Sequence, residues 1–170
     1  MHLLKTILLA FLLLPFAQNL DAQNCRFEVE DIDKFAKTKK LITKSTVLWN
    51  PGNGNSFTIK GKLESGQRAL LCRYVFNKPY TIAEGAQIIF LFEDGESLVL
   101  IAQGESVAKS EKEKLLYNST FTLVMDEEQY AILAEKAVTD IRITAKERNF
   151  DRPIKKEHAK RVADLVSCLN

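Results

Sequence analysis

The sequence predicts a single α+β domain, in which two helices from the C-terminal half pack on one face of a mainly antiparallel β-sheet of about six or seven strands. Three observations support this fold class. Apolar residues alternate with polar ones, or form short β-branched runs, in segments between residues 41 and 125. Clusters of Asn, Gly, Pro and Asp separate these segments. Helical spacing of apolar residues begins only after residue 126.

The strands are separated by recognisable turns. Residues 25–40 combine charged clusters with scattered apolar residues, which indicates an edge strand or a short turn. Residues 50–55, NPGNGN, predict a hairpin loop, and residues 106–114 predict a charged loop or a solvated turn of helix. Strands are predicted at 41–49, 57–63, 67–76, 88–92, 98–102, 115–125 and 139–145.

The clearest local signal is the hairpin formed by 88–92 and 98–102. Asp94-Gly95 between two apolar runs is typical of a two-residue type I′ turn, since both residues tolerate a positive φ. Both strands are apolar on both faces, which predicts a central position in a sheet covered on both sides. We expect the two helices to provide the second cover.

Both helices are predicted after residue 126. Asp126 is a predicted N-cap, and Gln129 completes a capping box for a helix over 127–137. Pro153 fits the first turn of a last helix, because its missing N–H costs nothing there. Apolar residues at helical spacing continue along that helix as far as Leu169.

Residues 1–22 have the order of a cleavable export signal. Lys5 precedes an apolar run over 6–17, and a polar stretch leads to Ala22. The run is shorter than the roughly 20 apolar residues that a membrane-spanning helix needs. We expect cleavage after Ala22, with Ala17 as the alternative, and a periplasmic or secreted domain over 23–170 with no stable transmembrane segment.

Three cysteines remain after cleavage: Cys25, Cys72 and Cys168. Lipoproteins carry a small residue immediately before the lipidated cysteine, so Asn24 argues against a lipid anchor on Cys25. Strand alternation places Cys72 on an apolar face, which predicts a buried free thiol. Cys25 and Cys168 are then the candidate disulfide in an oxidising compartment, although spacing alone leaves the connectivity open.

No set of residues points to catalysis, a cofactor or a metal. After cleavage the one remaining histidine is His158, predicted on the apolar stripe of the last helix and bonded to a backbone group. A zinc site from the three cysteines and His158 lacks the close cysteine pair that such sites usually have. The basic run over 146–161 is interleaved with acidic residues, which favours a solvated face. A net charge of +2 gives no electrostatic basis for nucleic-acid binding.

Several short motifs resemble small exported proteins of Bacteroidota. They are Cys25-Arg26-Phe27, then Ile32-Asp33-Lys34-Phe35 with Lys39-Lys40, and Met125 to Tyr130 (MDEEQY) leading to Ile141-Arg142-Ile143. The resemblance implies a bacterial cell-envelope setting and carries over no catalytic residue.

The leading hypothesis is an exported cell-envelope protein that acts as a non-enzymatic binding or interaction module, with another envelope protein as its partner. The alternative is a carrier of a small apolar ligand, in which 88–92 and 98–102 line a cavity. An enzyme that depends on acidic residues such as Asp94 or Glu96 ranks third.

Overall fold

The computed structural model describes residues 25–35, 38–111 and 115–170, so the predicted signal at 1–22 lies outside the described residues. In chain order the strands are β1 (Phe27–Asp33), β2 (Thr38–Thr43), β3 (Thr46–Trp49), β4 (Ser56–Glu64), β5 (Gln67–Phe76), β6 (Thr81–Ile82), β7 (Gln87–Phe92), β8 (Ser97–Gln103), β9 (Ser106–Val107), β10 (Lys109–Glu111), β11 (Leu116–Met125), β12 (Val138–Thr144) and β13 (Asn149–Pro153). The helices are α1 (Glu127–Glu135) and α2 (Arg161–Ser167), with a 3₁₀ turn at Lys156–His158.

The α+β class is confirmed, but the main sheet has eleven strands instead of six or seven. Its order is β1-β2-β4-β5-β11-β8-β7-β12-β13, with β3 paired to β4 and β10 paired to β11, while β6 and β9 form a separate pair. The predicted strand at 41–49 is divided between β2 and β3. Of the two alternatives for residues 25–40, the edge strand is present as β1, the first strand in the order of the sheet. The unpredicted strands include β10 and β13, where charged residues interrupt the apolar alternation that the prediction required.

The β4–β5 hairpin forms the centre of the molecule. Its register pairs Ser56 with Val75 and Glu64 with Gln67, so the two strands are aligned over their full length. Ser65 and Gly66 connect them with φ angles of 50° and 81°, the left-handed pair that a two-residue turn requires. On β5, the side chains of Leu70, Cys72 and Tyr74 are buried in the core, as predicted.

Helix α2 packs against the inner face of β4 at Gly61. A Cβ atom at Gly61 would lie 3.0 Å from a Leu165 methyl carbon and 3.1 Å from those of Leu169. The absence of a side chain therefore lets the last helix approach the sheet closely. Within the described residues, no helix is long and apolar enough to cross a membrane.

The capping box of α1 is confirmed. The Gln129 N–H donates to Asp126 Oδ1 at 2.8 Å, and the Asp126 N–H donates to Gln129 Oε1 at 3.0 Å. The predicted start of the last helix at Pro153 is wrong, because Pro153 is the final residue of β13 and α2 begins at Arg161. Proline is tolerated there because β13 is the last strand of the sheet.

The predicted disulfide is present between Cys25 and Cys168, whose Cα atoms lie 5.7 Å apart. It joins the segment before β1 to the C-terminal end of α2, 143 residues away along the sequence. Cys72 is buried and free, and burial raises the pKa of its thiol far above the ordinary range.

The sheet curls so that its last strand, β13, contacts the central strand β5. Phe150 on β13 lies 4.9 Å from Phe76 and 5.3 Å from Tyr74, both on β5, measured between ring centroids. Arg152, two residues further along β13, donates from Nε to the Tyr74 hydroxyl at 2.9 Å. An aromatic cluster thus closes the curl around the core.

Candidate functional site

The most unusual surface feature is the edge of β8 that faces away from β7. β8 pairs with β7 from Ser97 to Ile101. With β11 it pairs only at Ala102 and Gln103, opposite Leu123 and Thr122. Along 97–100, the described residues therefore provide a strand partner on one side only.

The hydrogen bonds define which peptide groups this edge exposes. The Ala102 N–H donates to the Ala86 carbonyl at 2.9 Å, and the Phe92 N–H donates to the Glu96 carbonyl at 2.9 Å. Peptide groups alternate between the two sides of a strand, so those of even-numbered residues in β8 face β7. The N–H and C=O groups of Val99 consequently point away from β7, toward the side on which β11 has diverged. The Ile101 N–H points the same way, whereas the Ile101 C=O lies at the end of the β8–β11 ladder, opposite the Val124 N–H.

Apolar side chains surround this edge on the outer face of the sheet. Val99 and Ile101 are 37% and 40% exposed, and Leu91 on β7 is 38% exposed. Their alternate neighbours Ile88, Phe90 and Leu100 are completely buried. The prediction that both faces of these strands are covered is therefore wrong, since the core covers the inner face and the outer face lies open.

An ion pair forms one border of this apolar surface. Arg142 on β12 donates from Nε to Asp151 Oδ1 at 2.6 Å and from Nη2 to Oδ2 at 2.8 Å. The guanidinium lowers the pKa of the Asp151 carboxyl below its ordinary range. Between this pair and the side chains of Ile89 and Leu91 lies a shallow cleft of about 470 Å³.

The β7–β8 turn at the start of the edge is held by α1. Gly95 has a φ of 85°, whereas Asp94 is not among the residues with positive φ, so the predicted two-residue type I′ turn is wrong. The Gly95 N–H instead donates to the Phe92 carbonyl at 3.0 Å, a type I turn followed by a left-handed glycine. Lys136, just after α1, forms ion pairs with Asp94, at 2.7 Å, and with Glu96. Hydrogen bonding from Lys136 lowers the pKa of the Asp94 carboxyl.

The ion pairs with Lys136 indicate the role of Asp94 and Glu96, the acidic residues on which an enzyme would depend. Both Asp94 and Glu96 are bound to Lys136 at the β7–β8 turn. Their arrangement fixes the beginning of β8 relative to α1. This arrangement supports a structural role for both carboxylates.

His158 lies in the 3₁₀ turn before α2, and not on the stripe of a long helix. Its Nδ1 is 3.4 Å from the Leu48 carbonyl, so it is half-buried beside a backbone group, as predicted. The cysteines Cys25 and Cys168 are joined to each other, so they do not assemble with His158. Within the described part of the chain, no group of three or more His, Cys, Asp or Glu residues could hold a metal ion.

The basic run over 146–161 does not form one surface. Lys146 pairs with Glu105 at 2.6 Å, Arg152 lies within the aromatic cluster, and Arg161 donates to the Val47 carbonyl at 2.9 Å. The chain carries these residues to three separate parts of the molecule.

Comparison of the chain with protein-family models, curated proteins and solved structures found no match.

Proposed function

We propose that this protein is an exported, non-enzymatic binding module that takes up an extended segment of another envelope protein along the open edge of β8. The observation that carries the proposal is the orientation of the Val99 N–H and C=O groups, which no described strand pairs on that side. An extended polypeptide presents N–H and C=O groups at the matching spacing, so strand addition would satisfy both partners.

The side chains at the edge indicate what the partner segment carries. Val99 and Ile101 project from the outer face beside the exposed Leu91. A strand added next to them would place alternate side chains on the same face. We therefore expect apolar residues at alternate positions of the segment, since these would cover the exposed apolar surface.

Three features support an envelope location for the partner. The sequence at 1–22 has the order of an export signal, and the disulfide between Cys25 and Cys168 suits an oxidising compartment. The resemblance to exported proteins of Bacteroidota points the same way.

A carrier of small apolar ligands draws less support from the same strands. The inner side chains of Ile88, Phe90 and Leu100 belong to the packed hydrophobic core and are completely buried. A ligand would have to displace core residues to lie between them, whereas carrier proteins usually have a largely preformed pocket.

The test begins with a photo-crosslinking amino acid at position 99, used in intact envelopes. The matched control carries the same group at Thr58, on the outer face of β4 and away from the edge. The protein crosslinked from position 99 is then purified, and its affinity for the mature domain is measured.

Two substitutions then separate backbone pairing from side-chain contact. Val99→Pro removes the N–H that points away from β7 and leaves the β7–β8 hydrogen bonds in place. Val99→Thr keeps that N–H. We expect Val99→Pro to weaken binding by about tenfold or more and Val99→Thr to weaken it by less than about threefold. Equal crosslinking from positions 58 and 99, or unchanged binding by a folded Val99→Pro variant, would refute the proposal.

A further inference from the structure

A second surface lies beside the disulfide, away from β8. The disulfide cleft, with a volume of about 540 Å³, runs between the segment after β2 and the exposed side of α2. Beside the disulfide itself, its polar lining includes Arg26, Lys44, Ser45, Thr46, Arg161 and Asp164. The cleft therefore brings together residues from both ends of the mature domain.

Three of these residues are cations. Arg26 and Lys44 are adjacent across the β1–β2 pairing, where the Lys44 N–H donates to the Arg26 carbonyl at 2.8 Å. Arg161 projects from α2 and donates from Nη1 to the Val47 carbonyl at 2.9 Å, which positions its guanidinium across the cleft. Asp164 is the single carboxylate in the lining. The cleft is therefore strongly positive.

These cations differ from those on the outer face of the sheet. There Lys60 pairs with Glu28 at 2.5 Å, and Arg142 holds Asp151 in a two-point ion pair. Within the described residues, no ion pair forms with Arg26, Lys44 or Arg161. Their charges remain available to a ligand.

Hydroxyl groups add neutral donors to the same cleft. The Thr43 hydroxyl is already occupied, because it accepts from the Gly61 N–H at 2.8 Å and donates to the Lys44 carbonyl at 3.2 Å. Ser45 and Thr46 line the cleft without such bonds in the described structure. Cationic groups with nearby hydroxyls form the donor set that binds tetrahedral oxyanions.

We propose that the disulfide cleft binds a phosphate or sulfate group. Two guanidinium groups offer several N–H donors each in a fixed planar arrangement, and Lys44 adds a point charge. A concave site concentrates the field of like charges, which attracts a dianion more strongly than a flat surface does. The group is carried either by a small soluble molecule or by a lipid headgroup.

The disulfide contributes to the site by holding Arg26 in place. Cys25 immediately precedes Arg26, and its bond to Cys168 fixes this residue beside α2. Without the bond, binding would also have to order the N-terminal segment, which costs conformational entropy. Reduction of the disulfide is therefore expected to weaken oxyanion binding.

The test measures binding of inorganic phosphate and inorganic sulfate to the mature domain by NMR titration at low ionic strength. Saturable shifts confined to residues around the disulfide cleft are expected. Lys44→Gln and Arg26→Gln should each weaken binding by about threefold to tenfold, and Asp164→Asn should strengthen it. Lys78→Gln, which changes the net charge equally but lies outside the cleft, is the matched control and should have little effect.

Vesicle binding distinguishes the two sources of the group. Stronger binding to vesicles that contain an anionic phospholipid than to phosphatidylcholine alone would assign a headgroup, provided that Lys44→Gln removes the difference. Phosphate or sulfate binding without that difference would assign a soluble molecule. The absence of saturable shifts with both ions, or an equal loss of affinity in Lys44→Gln and Lys78→Gln, would overturn the proposal.

Discussion

The guanidinium carbon of Arg152 lies 4.5 Å from the centre of the Trp49 ring. These residues belong to β13 and β3, which lie in different halves of the sheet. The same guanidinium lies 5.2 Å from Phe76 and 5.4 Å from Phe150, and donates to the Tyr74 hydroxyl. Arg152 thus joins the end of the sheet to its centre through charge, ring faces and a hydrogen bond.

The first prediction concerns Arg152→Met. Methionine keeps the apolar stem but removes the cation and the donor to Tyr74, so we expect the free energy of unfolding to fall by about 1–3 kcal/mol. Urea unfolding of a protein that comprises residues 23–170 measures this change. Arg148→Met, at an exposed position in the β12–β13 turn, should alter the free energy of unfolding by less than about 0.5 kcal/mol. Equal effects of both substitutions would contradict a specific contribution from the aromatic cluster.

The strand containing Arg152 could not be predicted from the sequence. In β13 only Phe150 is buried, and Arg152 is half-buried. Asn-Phe-Asp-Arg-Pro contains a single apolar side chain between polar ones, so its sequence shows no apolar alternation, and the proline favours a helix start by local rules. Pairing with β12 is local, through the turn at 145–148, but the contacts of Phe150 with Phe76 across the curl depend on residues distant in the sequence.

The second prediction concerns the close approach of α2 to Gly61. Gly61→Val would place side-chain carbons where Leu165 and Leu169 already lie, so the helix would have to move outward. We expect a loss of about 1–3 kcal/mol in the free energy of unfolding, measured with urea. Thr58→Val, which introduces valine on the outer face of the same strand, is the control and should be nearly neutral. A neutral Gly61→Val variant would show that α2 does not depend on this contact.

The third prediction concerns stability in acid. Lys40 lies 2.8 Å and Lys62 lies 2.5 Å from the Glu64 carboxylate. Hydrogen bonds from both lysines lower the pKa of Glu64 from 4.5 to about 2. The folded protein thus binds this proton less readily than the unfolded chain does. The stabilisation is complete above pH 4.5 and is lost as the pH falls toward 2.

Glu64→Gln should therefore reduce the dependence of Tm on pH between 4.5 and 2, as measured by circular dichroism. Because the group is exposed, the effect is expected to shrink at high salt. Glu84→Gln removes an exposed loop carboxylate for which the described residues provide no ion pair, and should leave the slope nearly unchanged. Parallel melting curves for wild type and Glu64→Gln across this range would rule out the contribution.

Local sequence patterns also could not predict the open edge of β8. The run over 98–102 correctly indicates a strand, and the burial of Leu100 and Ala102 agrees with its apolar character. The same apolar run is also expected in a strand that is covered on both faces, so it does not indicate that the outer face lies open. Which face is covered depends on where the two helices pack, and α2 lies against β4 while α1 follows β11. Neither contact is encoded within the hairpin itself.

The last prediction tests that edge directly by hydrogen exchange of residues 23–170 in isolation, followed by NMR. The Leu100 and Ala102 amides face β7, so they should exchange slowly, whereas the Val99 and Ile101 amides should exchange about 100-fold faster or more. Slow exchange of all four amides would mean that the edge is already occupied within the protein, in which case no partner strand could add there.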